Sequence, residues 1–338
     1  MLRRGRLLVP GVLFVAVALA TAWGAAMVWF TRPLGAVATG LFTAGVVVLG
    51  IAALAGMFTH RWRVRAVTGF AVLFAVLLLW WSTIEPSNDR HWKPEVAKAP
   101  YATIDGDLVT VHNIRNFDYR SETDFSVAYY DRTFDLGKLT AVDLIASYWM
   151  GPDIAHVFVS FVFDDEAYLP ISIERRDEAG EGYSTIRGLF RQYELIYVAA
   201  DERDLIRLRT NFRKDPPEQV YLYRVNVPVE NVRRLFMEYL KEMNTLREQP
   251  AFYNTVTTNC TSNIWLHTRV NPGHLHYSWK VLLSGHVPEY VYEAGRLDHG
   301  LPFPELKARS LINEAALAHA DDPEFSRAIR AGRPGMPF

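Results

Sequence analysis

Three uninterrupted apolar stretches open the chain, running from Leu7 to Phe30, Leu34 to Phe58 and Ala66 to Ile84, and none contains a charged residue. A hydrocarbon core about 30 Å thick is crossed by roughly 20 helical residues, so each stretch is long enough to span it. The arginines predict the orientation. Arg3, Arg4 and Arg6 precede the first stretch, Arg61, Arg63 and Arg65 separate the second from the third, and Arg32 alone lies in the first turn. By the bias of Lys and Arg toward the cytoplasmic side, the N-terminus and the second loop are expected inside. An odd number of spans then carries everything after Ile84 to the far side, with Trp80 and Trp81 at that interface.

Ala20-Thr21-Ala22 has the small-x-small form of a cleavage site, which offers a signal peptide as the competing reading of the first stretch. The apolar run continues past it to Phe30 and two more follow, so the reading adopted is a three-span anchor over residues 1–84. Gly35, Gly40, Gly45 and Gly50 recur every five positions, a poor match to a small-xxx-small helix contact, and read as lipid-facing. No charge falls within the spans, which disfavours a channel or transporter.

Residues 85–100 are polar and contain prolines, as a juxtamembrane linker would. The remainder, 101–338, has the composition of an ordinary folded domain. With 36 Lys+Arg against 37 Asp+Glu the chain has no electrostatic pull toward nucleic acid. Leu108 to His112, Leu139 to Trp149, Ile154 to Phe163, Leu169 to Glu174, Glu194 to Val198 and Val220 to Val227 read as strands. A charged helical stretch covers Glu202 to Arg213. Val232, Leu235, Phe236, Tyr239, Leu240 and Met243 recur on one face of a longer helix that ends by Pro250. The expected class is α+β, with a core of its own.

One cysteine, Cys260, excludes a disulfide within the monomer and any cysteine cluster for a metal. Thr258 or Asn259 is a good N-cap, which sets Cys260 at a helix start, where free N–H groups and the helix dipole favour a thiolate. The polar neighbours of Cys260 point to exposure, whereas burial as a plain core thiol is the alternative. His156 interrupts an apolar strand, sharing a face with Phe158, Ser160 and Val162. A turn centred on Asp165 brings Glu174 opposite His156, close enough for the carboxylate to orient the imidazole. Cys260, His156 and Glu174 therefore form a candidate nucleophile, base and orienter. Asn259, Tyr193 and Arg176 are candidates for oxyanion or substrate contacts, and the pair Arg175-Arg176 for a phosphate. Histidines crowd the C-terminal third, including His267, His274 and His276, but match no zinc-ligand spacing, so no metal or cofactor is assigned.

Several of these stretches together resemble the bacterial Lnb N-terminal periplasmic domain family: Trp92 to Arg120, Ile154-Ala-His156-Val, Ser172-Ile-Glu174, Tyr193-Glu194-Leu195-Ile-Tyr197-Val, Asp201-Glu202-Arg203-Asp204 and Tyr253-Asn254-Thr-Val-Thr-Thr-Asn259-Cys260-Thr. That resemblance implies a circularly permuted papain-like (NlpC/P60-like) fold with an antiparallel sheet and a cysteine-bearing helix. It implies Cys260 as nucleophile and His156 as general base; Glu174 as third member rests on the strand register alone. The family's namesake is a lipoprotein N-acyltransferase. The implied activity is transfer of an acyl chain from inner-membrane phospholipid to a lipoprotein amine through a cysteine thioester, in the periplasm. A cell-wall amidase or peptidase of NlpC/P60 type, or a noncatalytic membrane-anchored binding module, are the alternatives.

Overall fold

The computed structural model describes residues 2–32, 35–59, 61–182 and 184–337, with side chains in the first helix from Gly11 onward. Leu34 and the side chains of Arg3, Arg4 and Arg6 lie outside the described residues. The chain divides into two compact units, Met1–Ser87 with Ser184–Gln192, and Asn88–Tyr183 with Tyr193–Phe338.

In the first unit the apolar stretches form helices α1 (Leu2–Thr31), α2 (Ala36–Gly56) and α3 (Arg63–Ser82). Within them, 21, 21 and 20 residues are apolar enough to cross a bilayer. The glycine series is not uniformly lipid-facing. A Cβ on Gly50 would stand 2.3 Å from the Thr21 side chain, so α1 and α2 meet there and only glycine fits, while Gly40 and Gly45 face open space. Residues Ser184–Gln192 also belong to this unit. Phe190 stacks on Phe30 at 5.5 Å, and the Arg191 guanidinium lies 4.2 Å from the Trp81 ring. Arg191 Nη1 donates to the carbonyls of Trp81 (3.0 Å) and Ile84 (3.1 Å), satisfying acceptors at the end of α3 that the helix itself leaves open.

The second unit begins with strands β1 (Tyr101–Asp105) and β2 (Leu108–Arg115), a short hairpin β3 (Asp118–Tyr119) and β4 (Phe125–Ser126), and β5 (Tyr129–Asp135). Strands β6 (Leu139–Tyr148), β7 (Ala155–Phe163), β8 (Ala167–Arg176) and β9 (Glu194–Ala199) follow. Helix α4 (Glu202–Arg207), strand β10 (Gln219–Arg224), and helices α5 (Val229–Glu248), α6 (Cys260–Thr268) and α7 (Trp279–Leu282) complete the elements that matter for the site. The main sheet has the order β10-β6-β7-β8-β9 and every pairing in it is antiparallel; a smaller sheet is β1-β2-β5.

Strand alternation divides the core between the two faces of the main sheet. Val157, Val159, Phe161 and Phe163 point to one face, where the α5 stripe Val232, Phe236, Tyr239 and Leu240 covers them. Ile145, Phe158, Ile196 and Val198 point to the other, covered by Leu205 and Ile206 of α4 and by Phe325 and Ile329 near the C-terminus. Both faces are buried, which is why β7 reads as a near-continuous apolar run.

The segment read as a linker is part of this unit from Asn88 onward. Trp92 and Val96 are buried in the second core, and the Trp92 indole donates to Asn88 O at 2.9 Å. Its prolines and charges mark a rigid loop here, and the indole and valine side chains supply the apolar surface that fixes it.

Candidate active site

The site is built where two neighbouring strands part. Pairing of β7 with β8 runs from Phe163–Ala167 to Val159–Ile171 and stops, although β7 continues along β6 to Ala155 and β8 along β9 to Arg176. The register is the one a turn at Asp165 dictates, but the ladder ends before it reaches His156. The strands form a fork, and α6 packs against both of them.

Asn259 holds the start of α6. Its backbone is extended, its Oδ1 accepts from the N–H of Ser262 at 2.9 Å, and Ser262 Oγ accepts from the N–H of Asn259 at 2.9 Å. This reciprocal cap satisfies two donors that a bare helix end would leave open. It fixes Cys260 as the first helical residue. Asn259 Nδ2 donates one of its two N–H groups to Thr255 O at 2.8 Å, which holds the side chain in the cap. Thr261 Oγ1 donates to Val281 O at 2.6 Å and ties α6 to α7.

Cys260, half-buried at the start of α6, is set beside the fork, and the His156 imidazole is close enough to act on its thiol. Across the fork, His156 Nε2 lies 2.6 Å from Ser172 Oγ, which donates to Glu174 Oε1 at 2.7 Å. Because the hydroxyl spends its proton on the carboxylate, it accepts from Nε2–H, which leaves Nδ1 for the thiol. Glu174 Oε1 stands 3.5 Å from Nε2, beyond a good hydrogen bond. The carboxylate is brought to His156, as the register requires, but Ser172 is interposed. Arg209 closes the series, its Nη2 lying 3.2 Å from the same Oε1.

The electrostatics follow from these contacts. Burial opposes a thiolate at Cys260, yet the hydrogen bond and charge of His156, with the backbone N–H groups of Val157 and Thr261, bring the thiol below its ordinary value. Burial likewise opposes an imidazolium at His156, and the neighbouring Cys260 and Glu174 outweigh it, leaving the group raised. Desolvation of the half-buried Glu174 favours its neutral form, yet His156 and Arg209 hold it well below the usual carboxylate range. The Val157 amide can serve the sulfur because the fork has released it from the β8 ladder. The two shifts move the thiol and the imidazole toward each other, the direction that activation of a cysteine nucleophile would need.

Four other residues singled out in the sequence lie elsewhere. Tyr193 is fully buried and its hydroxyl donates to Gly182 O at 2.9 Å, so it is a core tyrosine and no oxyanion donor. Arg176 donates to Val96 O (2.9 Å), Ala97 O (2.8 Å) and Asn88 Oδ1 (2.9 Å) and lies over Trp92; burial lowers it to about 10. It pins the 88–97 segment instead of meeting substrate. Arg175 pairs with Asp177 at 2.6 Å. His267 is another core residue, 2.5 Å from Tyr197 Oη and pushed down to about 4 by burial. No three His, Cys, Asp or Glu among the described residues converge on a metal position.

Residues 126–285 match the model of the Lnb N-terminal periplasmic domain. The chain carries that domain. The match takes in β7, β8 and α6, and with them His156, Ser172, Glu174, Arg209 and Cys260, whereas Trp92 to Arg120 precede it. No curated protein and no solved structure matches the chain. The Lnb N-terminal periplasmic domain thus follows, in sequence, three helices fit to span a membrane.

Proposed function

We propose that this protein is a membrane-anchored, thiol-dependent acyltransferase whose permuted papain-like domain faces the periplasm and works on the lipids of the inner membrane. The observation that carries the reading is the hydrogen-bonded series from His156 through Ser172 to Glu174, with Cys260 at the start of the helix packed against both strands. His156 takes the thiol proton, and the Cys260 thiolate attacks the carbonyl carbon of a phospholipid acyl ester. The ester C–O bond breaks, the imidazolium returns its proton to the departing glycerol oxygen, and a thioester and a lysophospholipid result. The amine of a lipoprotein then attacks the thioester, His156 removes its proton, and an amide and free Cys260 are produced. Ser172 and Glu174 keep the imidazole in the tautomer both steps require. The three spans support a lipid donor by holding the chain in the bilayer that contains it.

The test is incubation of the detergent-purified protein with phospholipid bearing an alkyne-tagged acyl chain, alongside Cys260→Ser. Label that neutral hydroxylamine removes is expected on the wild type alone. Absence of such label from a protein whose thiol still reacts with a small maleimide would reject the acyl donor and favour hydrolysis of cell-wall peptides.

A further inference from the structure

Behind Glu174 lies a cation that the reaction above leaves without a part. Arg209 sits in a π-helical turn, Leu208–Phe212, that continues α4. Such wide turns are rare and recur at functional positions, since they swing side chains out of helical register. The Arg209 side chain is buried, with its guanidinium 5.3 Å from the centroid of Phe158. Nη1 donates to Leu205 O at 2.8 Å and Nη2 lies 3.2 Å from Glu174 Oε1. Nε makes no hydrogen bond among the described residues, Glu218 Oε2 standing 4.0 Å away. One carboxylate oxygen therefore serves Ser172, Arg209 and, at longer range, His156.

We propose that Arg209 is a positioning residue for His156, which fixes the Glu174 carboxylate and draws off part of its charge so that the imidazole can cycle between its two protonation states. The inference rests on the reading of Cys260 and His156 as nucleophile and base. That base acts twice, on the thiol and on the incoming amine, and must become neutral in between. An imidazolium facing an undivided, half-buried carboxylate would hold its proton too firmly.

The surrounding charges agree with this role. Arg209 is faced by Glu174 of β8, Glu218 ahead of β10, Arg115 of β2, Tyr119 of β3 and Arg213 of its own segment. His156 is faced by Cys260 of α6, Glu174 and Arg209. Arg115 is committed to Asp204 at 2.7 Å, and Glu218 to Arg213 at 2.6 Å and to Ser147, so Arg115 does not take the place of Arg209 at Glu174 and Glu218 offsets Arg209 only in part.

The experiment follows alkylation of Cys260, the sole cysteine, by iodoacetate against pH in the full-length protein in detergent. An anionic reagent attacks fastest while the neighbouring imidazolium keeps its charge, so the falling limb of the profile reports loss of that proton. Arg209→Met is expected to move the falling limb up by about one pH unit. Arg209→Lys, which restores the charge, should bring it back to within a few tenths of a unit on the same scale. Glu218→Gln removes a partial counter-charge to Arg209 and should move the limb down. A folded Arg209→Met protein with an unmoved limb overturns the proposal, since a merely structural arginine would lower the melting temperature alone. Should that variant not fold, Glu218→Gln decides: an unmoved or raised limb overturns it. A wild-type profile that follows an ordinary thiol, without reactivity at lower pH, would overturn the nucleophile–base reading itself and is visible before any variant is made.

Discussion

Two buried arginines lie on the same side of the main sheet and are treated in opposite ways. Arg330, fully buried, uses its whole fork: Nε donates to Asp143 (2.8 Å), Nη1 to Glu202 (2.8 Å) and Ser326 O (2.6 Å), and Nη2 to Glu202 (2.6 Å). Burial works against its charge, but the two carboxylates raise it above even the usual arginine range. Arg209 leaves Nε unbonded among the described residues, and burial together with Arg213 lowers it. A fully satisfied ionic cluster can only brace the fold. An incompletely satisfied one beside a titrating histidine has charge to lend, and the difference separates structural from functional polarity on one sheet face.

The largest effect is expected from Arg330→Met. Removing Arg330 from this buried ionic cluster leaves Glu202 without a cation and Asp143 with Arg224 alone, and should cost about 3–5 kcal/mol of unfolding free energy. Thermal melts in detergent would register this, while the pH profile of Cys260 alkylation in the surviving folded fraction stays where it was. A shifted profile would erase the distinction drawn between the two arginines.

Ser172→Ala should cost roughly 1–3 kcal/mol, because His156 Nε2–H and Glu174 both lose the hydroxyl that joins them. The rate of acyl-thioester formation is the readout, with a fall of about ten- to a hundredfold in line with that energy. An unchanged rate would mean that Glu174 reaches the imidazole without Ser172.

The His156–Glu174 interaction also has a pH window. Glu174 is depressed, so its stabilisation is present above its ordinary value of 4.5 and is lost as pH falls through the depressed value. His156 is raised, so its share is complete below 6.5 and is lost as pH rises through the raised value. The gap in melting temperature between wild type and Glu174→Gln should therefore be widest between pH 4.5 and 6.5. A gap that keeps growing above that range would contradict the assignment.

Smallest is Asn259→Ala, which removes the cap of α6 and should cost about 1 kcal/mol. Because the cap sets where the helix begins, the thiol should also become less reactive at low pH. Reactivity preserved at wild-type level would show that α6 keeps its start without Asn259.

Much of this fold was legible because its strongest signals are periodic. Val157, Val159, Phe161 and Phe163 alternate, and Val232, Leu235, Phe236, Tyr239, Leu240 and Met243 stripe a helix, and all are buried. Asn259 before Cys260 announces a helix start by local hydrogen-bonding chemistry alone. The strand register could be counted from the turn. What could not be counted was where the ladder ends, since that depends on α6 packing against both strands; the sequence around Ser172 therefore carries no sign that its hydroxyl stands between His156 and Glu174. Arg209 belongs to a π turn, which leaves no mark in hydrophobic periodicity. Arg176 and Tyr193 show the converse problem. Their side-chain types suit substrate, but only tertiary contacts reveal that Val96, Ala97 and Gly182 have already claimed them.

The Arg330 cluster also bears on when the domain can close. Asp143 and Glu202 occupy the middle of the sequence, on β6 and α4, and are wholly buried once the sheet is covered. Until residue 330 has been synthesised, closing that face would bury two carboxylates with part of their neutralising charge missing, Arg224 reaching Asp143 alone at 2.5 Å. Folding of this face is accordingly expected to wait until residue 330 has emerged instead of proceeding strand by strand, which makes the emerging chain a prolonged client of whatever holds unfolded segments apart.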